Sequence, residues 1–153
     1  MQPQLNSGTS AERSIMGARK TTNGHELYGV EAVLLVPDVR ATLAFYRDVL
    51  GFNIDFEAGS PPVHARVSSG DPSSPATARI RFELASGPLA EPRSCYLYVY
   101  VGRALDDLFI SYKNRGVTIV DVPRDRPWGL RQFDILDCNG YVLSFVAEKG
   151  IAG

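Results

Sequence analysis

The chain has 153 residues, 44% of them hydrophobic and 22% charged, which is ordinary composition for one globular domain. A formal net charge of -1, with Lys and Arg spread along the chain, leaves no electrostatic footprint for nucleic acid or an anionic membrane. Apolar runs such as residues 32–36 are far too short to span a bilayer, and the first residues lack the apolar core of a secretory signal, so a cytoplasmic protein is expected. Cys95 and Cys138 are the only cysteines, too few for a disulfide framework or a zinc site, and free thiols are expected.

Residues 1–27 are rich in Gln, Asn, Ser, Thr and charge without an apolar period and are predicted to be a flexible tail, and residues 149–153 a C-terminal tail. One domain is expected over residues 28–148. Residues 29–36 are β-rich, and Pro37-Asp38 breaks the run and supplies an N-cap. Val39, Leu43, Tyr46 and Leu50 then recur at helical spacing up to Gly51, which suits a left-handed cap. Strands are predicted over residues 52–57, 63–68 and 78–84. The last of these alternates Arg79, Arg81 and Glu83 with Ile80, Phe82 and Leu84.

A proline-containing linker leads to Cys-Tyr-Leu-Tyr-Val-Tyr-Val at residues 95–101. Alternation puts Tyr96, Tyr98 and Tyr100 on one face of that strand and Leu97, Val99 and Val101 on the other. The aliphatic face suits a helix. The phenols need partners or water, so that face is either one wall of a binding cup or a half-solvated strand surface. A helix with Leu105, Leu108, Phe109 and Tyr112 inward follows, closed by Gly116, and then strands over residues 117–122, 131–136 and 141–147.

The second half therefore repeats the first. Val36 to Gly51 and Val101 to Gly116 span the same 15 positions, at an offset of 65. The pattern predicts an α+β fold of two βαβββ modules, about residues 28–90 and 94–148, in a curved mixed sheet with helices outside and a concave cup within.

Two runs carry a resemblance. Phe45-Tyr46-Arg47-Asp48-Val49-Leu50-Gly51-Phe52 resembles the FYxxxLGF signature of the vicinal oxygen chelate superfamily, in its glyoxalase and bleomycin-resistance branch. Pro127-Trp128-Gly129-Leu130-Arg131-Gln132-Phe133, followed by Asp137-Cys138-Asn139-Gly140, resembles that group's PWGxRxF and DxxG hairpin. The resemblance covers residues 30–147. It implies the duplicated fold, a homodimer whose cups are completed across the interface, and Trp128 at the cavity rim.

Catalytic members of the superfamily bind a divalent metal through His, Gln and Glu side chains in the cup. The matching positions here are Glu31, Tyr96 and Ser144, with Glu83 the remaining oxygen donor. This set contains no imidazole and suits neither zinc, iron nor nickel, although two carboxylates could hold a hard cation weakly. No metal and no other cofactor are therefore expected. His25 falls in the tail, and His64 faces either the cup or water.

The leading expectation is a metal-free binding protein of the bleomycin-resistance type that captures a small aromatic or cationic molecule. Tyr96, Tyr98, Tyr100 and Trp128 would supply stacking surface, Phe133 would line or fill the cup beside them, and Glu31 and Glu83 could pair with a positive group. Arg79, Arg81 and Arg131 could instead neutralise the acids or receive an anion, and Ser144 completes the candidate lining. The alternative is an enzyme, a glyoxalase-like lyase or isomerase with Glu31 as general base beside a phenol, or a dioxygenase.

Overall fold

A computed structural model describes residues 29–71, 73–74 and 76–150. The predicted N-terminal tail, His25 and residues 151–153 lie outside the described residues. The described residues from Glu31 onward form one compact unit.

The first module runs β1 (Ala32–Val36), α1 (Val39–Asp48), β2 (Asn53–Ala58), β3 (His64–Ser69) and β4 (Ala78–Leu84). The second repeats it as β5 (Tyr96–Tyr100), α2 (Leu105–Asn114), β6 (Thr118–Asp125), β7 (Leu130–Leu136) and β8 (Val142–Glu148). Each module closes its own four-stranded mixed sheet, ordered β1-β4-β3-β2 and β5-β8-β7-β6. The first strand of each module pairs in parallel with the last, and the other pairs are antiparallel. The curved sheet expected from the sequence is thus built as two halves, with β1 and β5 as edge strands.

Local chemistry sets the helix ends. Asp38 Oδ1 accepts the Ala41 N–H at 2.9 Å, and Gly51 and Gly116 leave the helical regions at φ +80° and +76°. Ala104, before α2, is a non-glycine residue at φ +58° and provides no side-chain cap, while Asp106 and Asp107 occupy the first turn of α2 and oppose its dipole.

Alternation then divides each sheet into two faces. Leu34, Val36, Val67, Ile80 and Phe82 are buried with Val39, Leu43 and Tyr46 of α1. Val99, Phe133, Ile135, Leu143 and Phe145 are buried with Leu105 and Tyr112 of α2. Phe133 stacks on Phe145 with centroids 5.1 Å apart and meets Phe109 edge-on at 5.5 Å. Burying each such ring contributes about 2–3 kcal/mol.

The motifs that resemble the superfamily meet at the joint between modules. Tyr46 donates its hydroxyl to Asp137 Oδ2 at 2.8 Å, and Asp137 Oδ1 accepts the N–H groups of Asn139 and Tyr141, each at 2.8 Å. Asn139 reaches Thr42 at 2.9 Å, Tyr141 donates to the Leu35 carbonyl at 2.7 Å, and Tyr112 donates to the Leu50 carbonyl at 2.9 Å. Gly140, at φ +82°, gives the β7–β8 turn its shape.

Candidate functional site

The faces turned away from the helices carry the chemistry, and the two halves differ. On the first sheet, Glu31, Asp55, His64, Arg66 and Arg81 form a connected charged cluster. Arg66 Nε donates to Asp55 Oδ2 at 2.8 Å, with its Nη1 3.4 Å from Glu31 Oε1; Arg81 Nε donates to Glu31 Oε2, and its Nη1 lies 3.4 Å from His64 Nε2. Ser68 donates to Asp55 Oδ1 at 2.6 Å. Both guanidiniums lie over the Phe56 ring, at 5.5 and 5.4 Å from its centroid, and Phe56 stacks on His64 at 5.7 Å. Arg79 donates to the backbone carbonyls of Ser74 and Thr77, and Glu83 is exposed at the other end of β4.

On the second sheet, Tyr96, Tyr98, Val142, Ser144, Gln132 and Asp134 line an open groove of about 340 Å³ whose remaining walls are Arg126 and Trp128. Cross-strand register places Tyr98, Ser144 and Asp134 in one row across β5, β8 and β7. Tyr96 meets Tyr98 edge-on at 5.9 Å, and Trp128, 59% exposed, lies under the Arg126 guanidinium at 5.9 Å from its centroid. Arg126 Nη2 donates to Asp121 Oδ2 at 2.6 Å and is 3.8 Å from Asp134 Oδ2. Against the upward push of desolvation, Arg126 and Arg124 hold the Asp121 carboxyl below its usual range. Gln132 Nε2 donates to Asp134 Oδ1 at 2.8 Å.

The residues singled out in the sequence thus separate. Tyr96, Tyr98, Trp128 and Ser144 come together in the groove, whereas Glu31, Arg79, Arg81 and Glu83 occupy the first sheet and are not among the groove's lining residues. Tyr100 lines a different cavity, of about 370 Å³, with Phe52, Ala78, Val99, Leu108 and Phe145.

Two expectations are corrected. Phe133 is fully buried in the helix-side core, because β7 turns its odd-numbered positions toward α2. Arg131 shares that parity and is held by Asp106 of α2, at 3.0 Å from Nη2, and by Asp125, at 3.1 Å from Nη1. The groove residues that sequence reasoning passed over are Arg126, Gln132, Asp134 and Val142. The signal available for the two on β7 was alternation counted from the Asn139-Gly140 turn, which pairs Leu136 with Val142 and therefore Asp134 with Ser144.

A divalent metal at the positions marked by the resemblance is a poor chemical fit. Both oxygens of Glu31 already meet guanidiniums, so a dication there would face Arg66 and Arg81, while Tyr96 and Ser144 offer only a phenol and a hydroxyl. Among the described residues no group of three or more His, Cys, Asp and Glu side chains is placed to hold an ion.

Comparison with known proteins agrees with this architecture. The bleomycin-binding protein from bleomycin-producing Streptomyces verticillus, complexed with copper(II)-bleomycin, superposes with a TM-score of 0.62 at 24% identity, over 82% of this chain and 99% of that one. TioX from Micromonospora sp. ML1 gives 0.61 at 22% identity over 78% and 94%, and a glyoxalase/bleomycin resistance protein/dioxygenase from Nocardioides gives 0.60 at 17% over 92% and 91%. At such identities the likeness establishes the fold. No curated protein matches the sequence significantly. The family model for the Glyoxalase/Bleomycin resistance protein/Dioxygenase superfamily matches residues 30–145, and the chain belongs to that superfamily.

Proposed function

We propose that this protein binds a small planar aromatic molecule in the groove beneath Trp128, without a metal, and acts by capture. The observation that carries this reading is the grouping of Trp128, Tyr96 and Tyr98 around one open groove, with Arg126, Gln132 and Asp134 as its polar wall. A half-exposed indole backed by a guanidinium is a large stacking surface whose desolvation on binding is favourable. The copper(II)-bleomycin complex of a structural neighbour supports capture of a small molecule; the role proposed with it is resistance to a toxic compound in the cytoplasm.

Capture is favoured over turnover because Glu31, the candidate base, has both oxygens engaged by arginines and stands outside the groove. The proposed state is a homodimer. Each chain leaves Val33 and Leu35 exposed on β1 and Tyr100 exposed on β5, outside the groove lining, an apolar area that a second copy would cover.

Trp128 is the only tryptophan, so its emission reports on the groove directly. Titration with planar bicyclic heteroaromatics is expected to change that emission saturably. Trp128→Ala is expected to lower affinity at least tenfold, followed by ligand-observed NMR, while leaving the melting temperature within about 3 °C. Unchanged affinity in Trp128→Ala would remove the groove as the binding site.

A further inference from the structure

Two polar atoms in the groove wall are buried and have no hydrogen-bond partner: Gln132 Oε1 and Arg126 Nε. Gln132 is only 5% exposed. Its amide is oriented by Asp134, which accepts from Nε2 at 2.8 Å, and this leaves the carbonyl oxygen unpaired. Arg126 is fixed through Nη2 on Asp121 and by its face against Trp128, which leaves Nε–H unpaired. A buried acceptor and a buried donor of this kind keep their desolvation cost until a partner meets them, and their own carboxylate partners hold both in place. One is an acceptor and the other a donor, on the same wall, beside a stacking surface. The complement is a flat molecule whose edge presents a donor next to an acceptor.

We propose that the groove selects planar heterocycles carrying a cyclic amide edge, a ring N–H beside a carbonyl as in lactams and cyclic imides. The ligand N–H donates to Gln132 Oε1 and its carbonyl oxygen accepts from Arg126 Nε–H. The inference rests on the reading of the groove as the ligand site and adds the chemical class. Stacking alone would accept any flat ring of the right area, whereas the orphaned pair rewards one edge. A site whose buried polar groups are met by one ligand and left unmet by its analogue discriminates strongly between them.

The test compares three probes of nearly equal ring area: 2-quinolinone, with both groups; 1-methyl-2-quinolinone, with the acceptor alone; and quinoline, with neither the ring N–H nor the carbonyl. Each is titrated into the full chain while the Trp128 indole N–H resonance is followed. Wild type is expected to bind 2-quinolinone about tenfold tighter than 1-methyl-2-quinolinone, which lacks the donor, and quinoline, which lacks both groups, more weakly still. Gln132→Leu, with Gln132→Met as the volume-matched alternative should the first fail to fold, is expected to bring 2-quinolinone and its N-methyl analogue within about twofold, with quinoline affinity unchanged. Equal affinities in wild type, or a preference for 2-quinolinone over 1-methyl-2-quinolinone that survives both substitutions, would overturn the edge-reading proposal while leaving the groove as an aromatic site. If no probe moves the Trp128 resonance, the groove itself is not the site and both readings fall.

Discussion

Tyr46→Phe tests the claim that the two superfamily-like motifs form the joint between modules. The substitution keeps the ring, which is fully buried and packed at 4.7 Å against Phe82 and 5.5 Å against Phe52, and deletes only the hydroxyl that donates to Asp137 Oδ2 at 2.8 Å. A hydrogen bond to a buried carboxylate contributes about 1.5–3 kcal/mol, and its loss leaves Asp137 with one oxygen short of a partner. For a domain of this size about 2 kcal/mol corresponds to a fall of about 6–10 °C in melting temperature at pH 7. The pH dependence sharpens the test. Burial pushes the Asp137 carboxyl above its usual range, against the opposing hydrogen bonds from Tyr141, Tyr46 and Asn139. An acid raised in the folded state contributes stability that is complete below its unfolded value and is lost as pH rises through the folded one. Removing the Tyr46 donor raises the folded value further, so the penalty of Tyr46→Phe must be largest at neutral pH and smaller near pH 4. Urea denaturation followed by circular dichroism at both pH values measures this, and a double-mutant cycle with Asp137→Asn isolates the pair, with a coupling of about 1 kcal/mol or more expected. A loss below about 0.5 kcal/mol at pH 7, or a loss that is the same at pH 4, would refute the reasoning.

Other consequences follow from the same geometry. Arg66→Gln removes the guanidinium from Asp55, whose side chain is 9% exposed, and from Glu31, and is expected to cost about 1–3 kcal/mol in urea denaturation. Arg47→Ala breaks only an exposed pair with Asp48 and is expected to cost about 0.5 kcal/mol or less; equal losses would show that the first-sheet cluster is not a structural unit. Ala104→Gly relieves a left-handed residue at the entry to α2 and is expected to raise stability by about 0.5–1 kcal/mol, where Ala104→Val should lower it. Desolvation and the neighbouring Asp137 carboxylate push the Cys138 thiol up to about 11, so its alkylation by iodoacetamide should remain slow at pH 8 and keep rising past pH 10; a plateau by pH 9 would contradict that environment.

The fold was legible because its signals are periodic. The alternation in Tyr96 to Tyr100, the helical spacing of Val39, Leu43 and Tyr46, and the glycines at 51 and 116 each follow from local sterics, and the 65-residue offset doubled them. The groove was half legible for the same reason. Tyr96, Tyr98 and Ser144 follow from strand parity, but Arg131 and Phe133 were placed on the wrong face of β7, since a one-residue change of parity exchanges every side chain between cup and core. The Arg66 to Asp55 pair was not legible, because it crosses the β2–β3 hairpin where a bulge between Ile54 and Phe56 shifts the register. Arg126 was likewise hidden. Its position depends on the irregular β6–β7 pairing and on the Arg126 N–H to Leu130 carbonyl bond, 2.7 Å long, which closes the loop carrying Trp128.

The contrast between the two sheets bears on what such a scaffold can recognise. On the first, Glu31, Asp55, Arg66 and Arg81 satisfy one another, and withdrawing any of them to meet a ligand charge would strand its partner, so that face resists use as a charged receptor. On the second, Asp121 and Asp134 hold Arg126 and Gln132 in place, and the buried polar atoms of the groove left without a partner are one donor and one acceptor beside three aromatic rings. On the proposed reading, selectivity falls to the hydrogen-bonding edge of a flat ligand and not to its net charge. The module joint at Tyr46 and Asp137 uses none of these groove residues, which lets the groove chemistry vary without disturbing the frame that carries it.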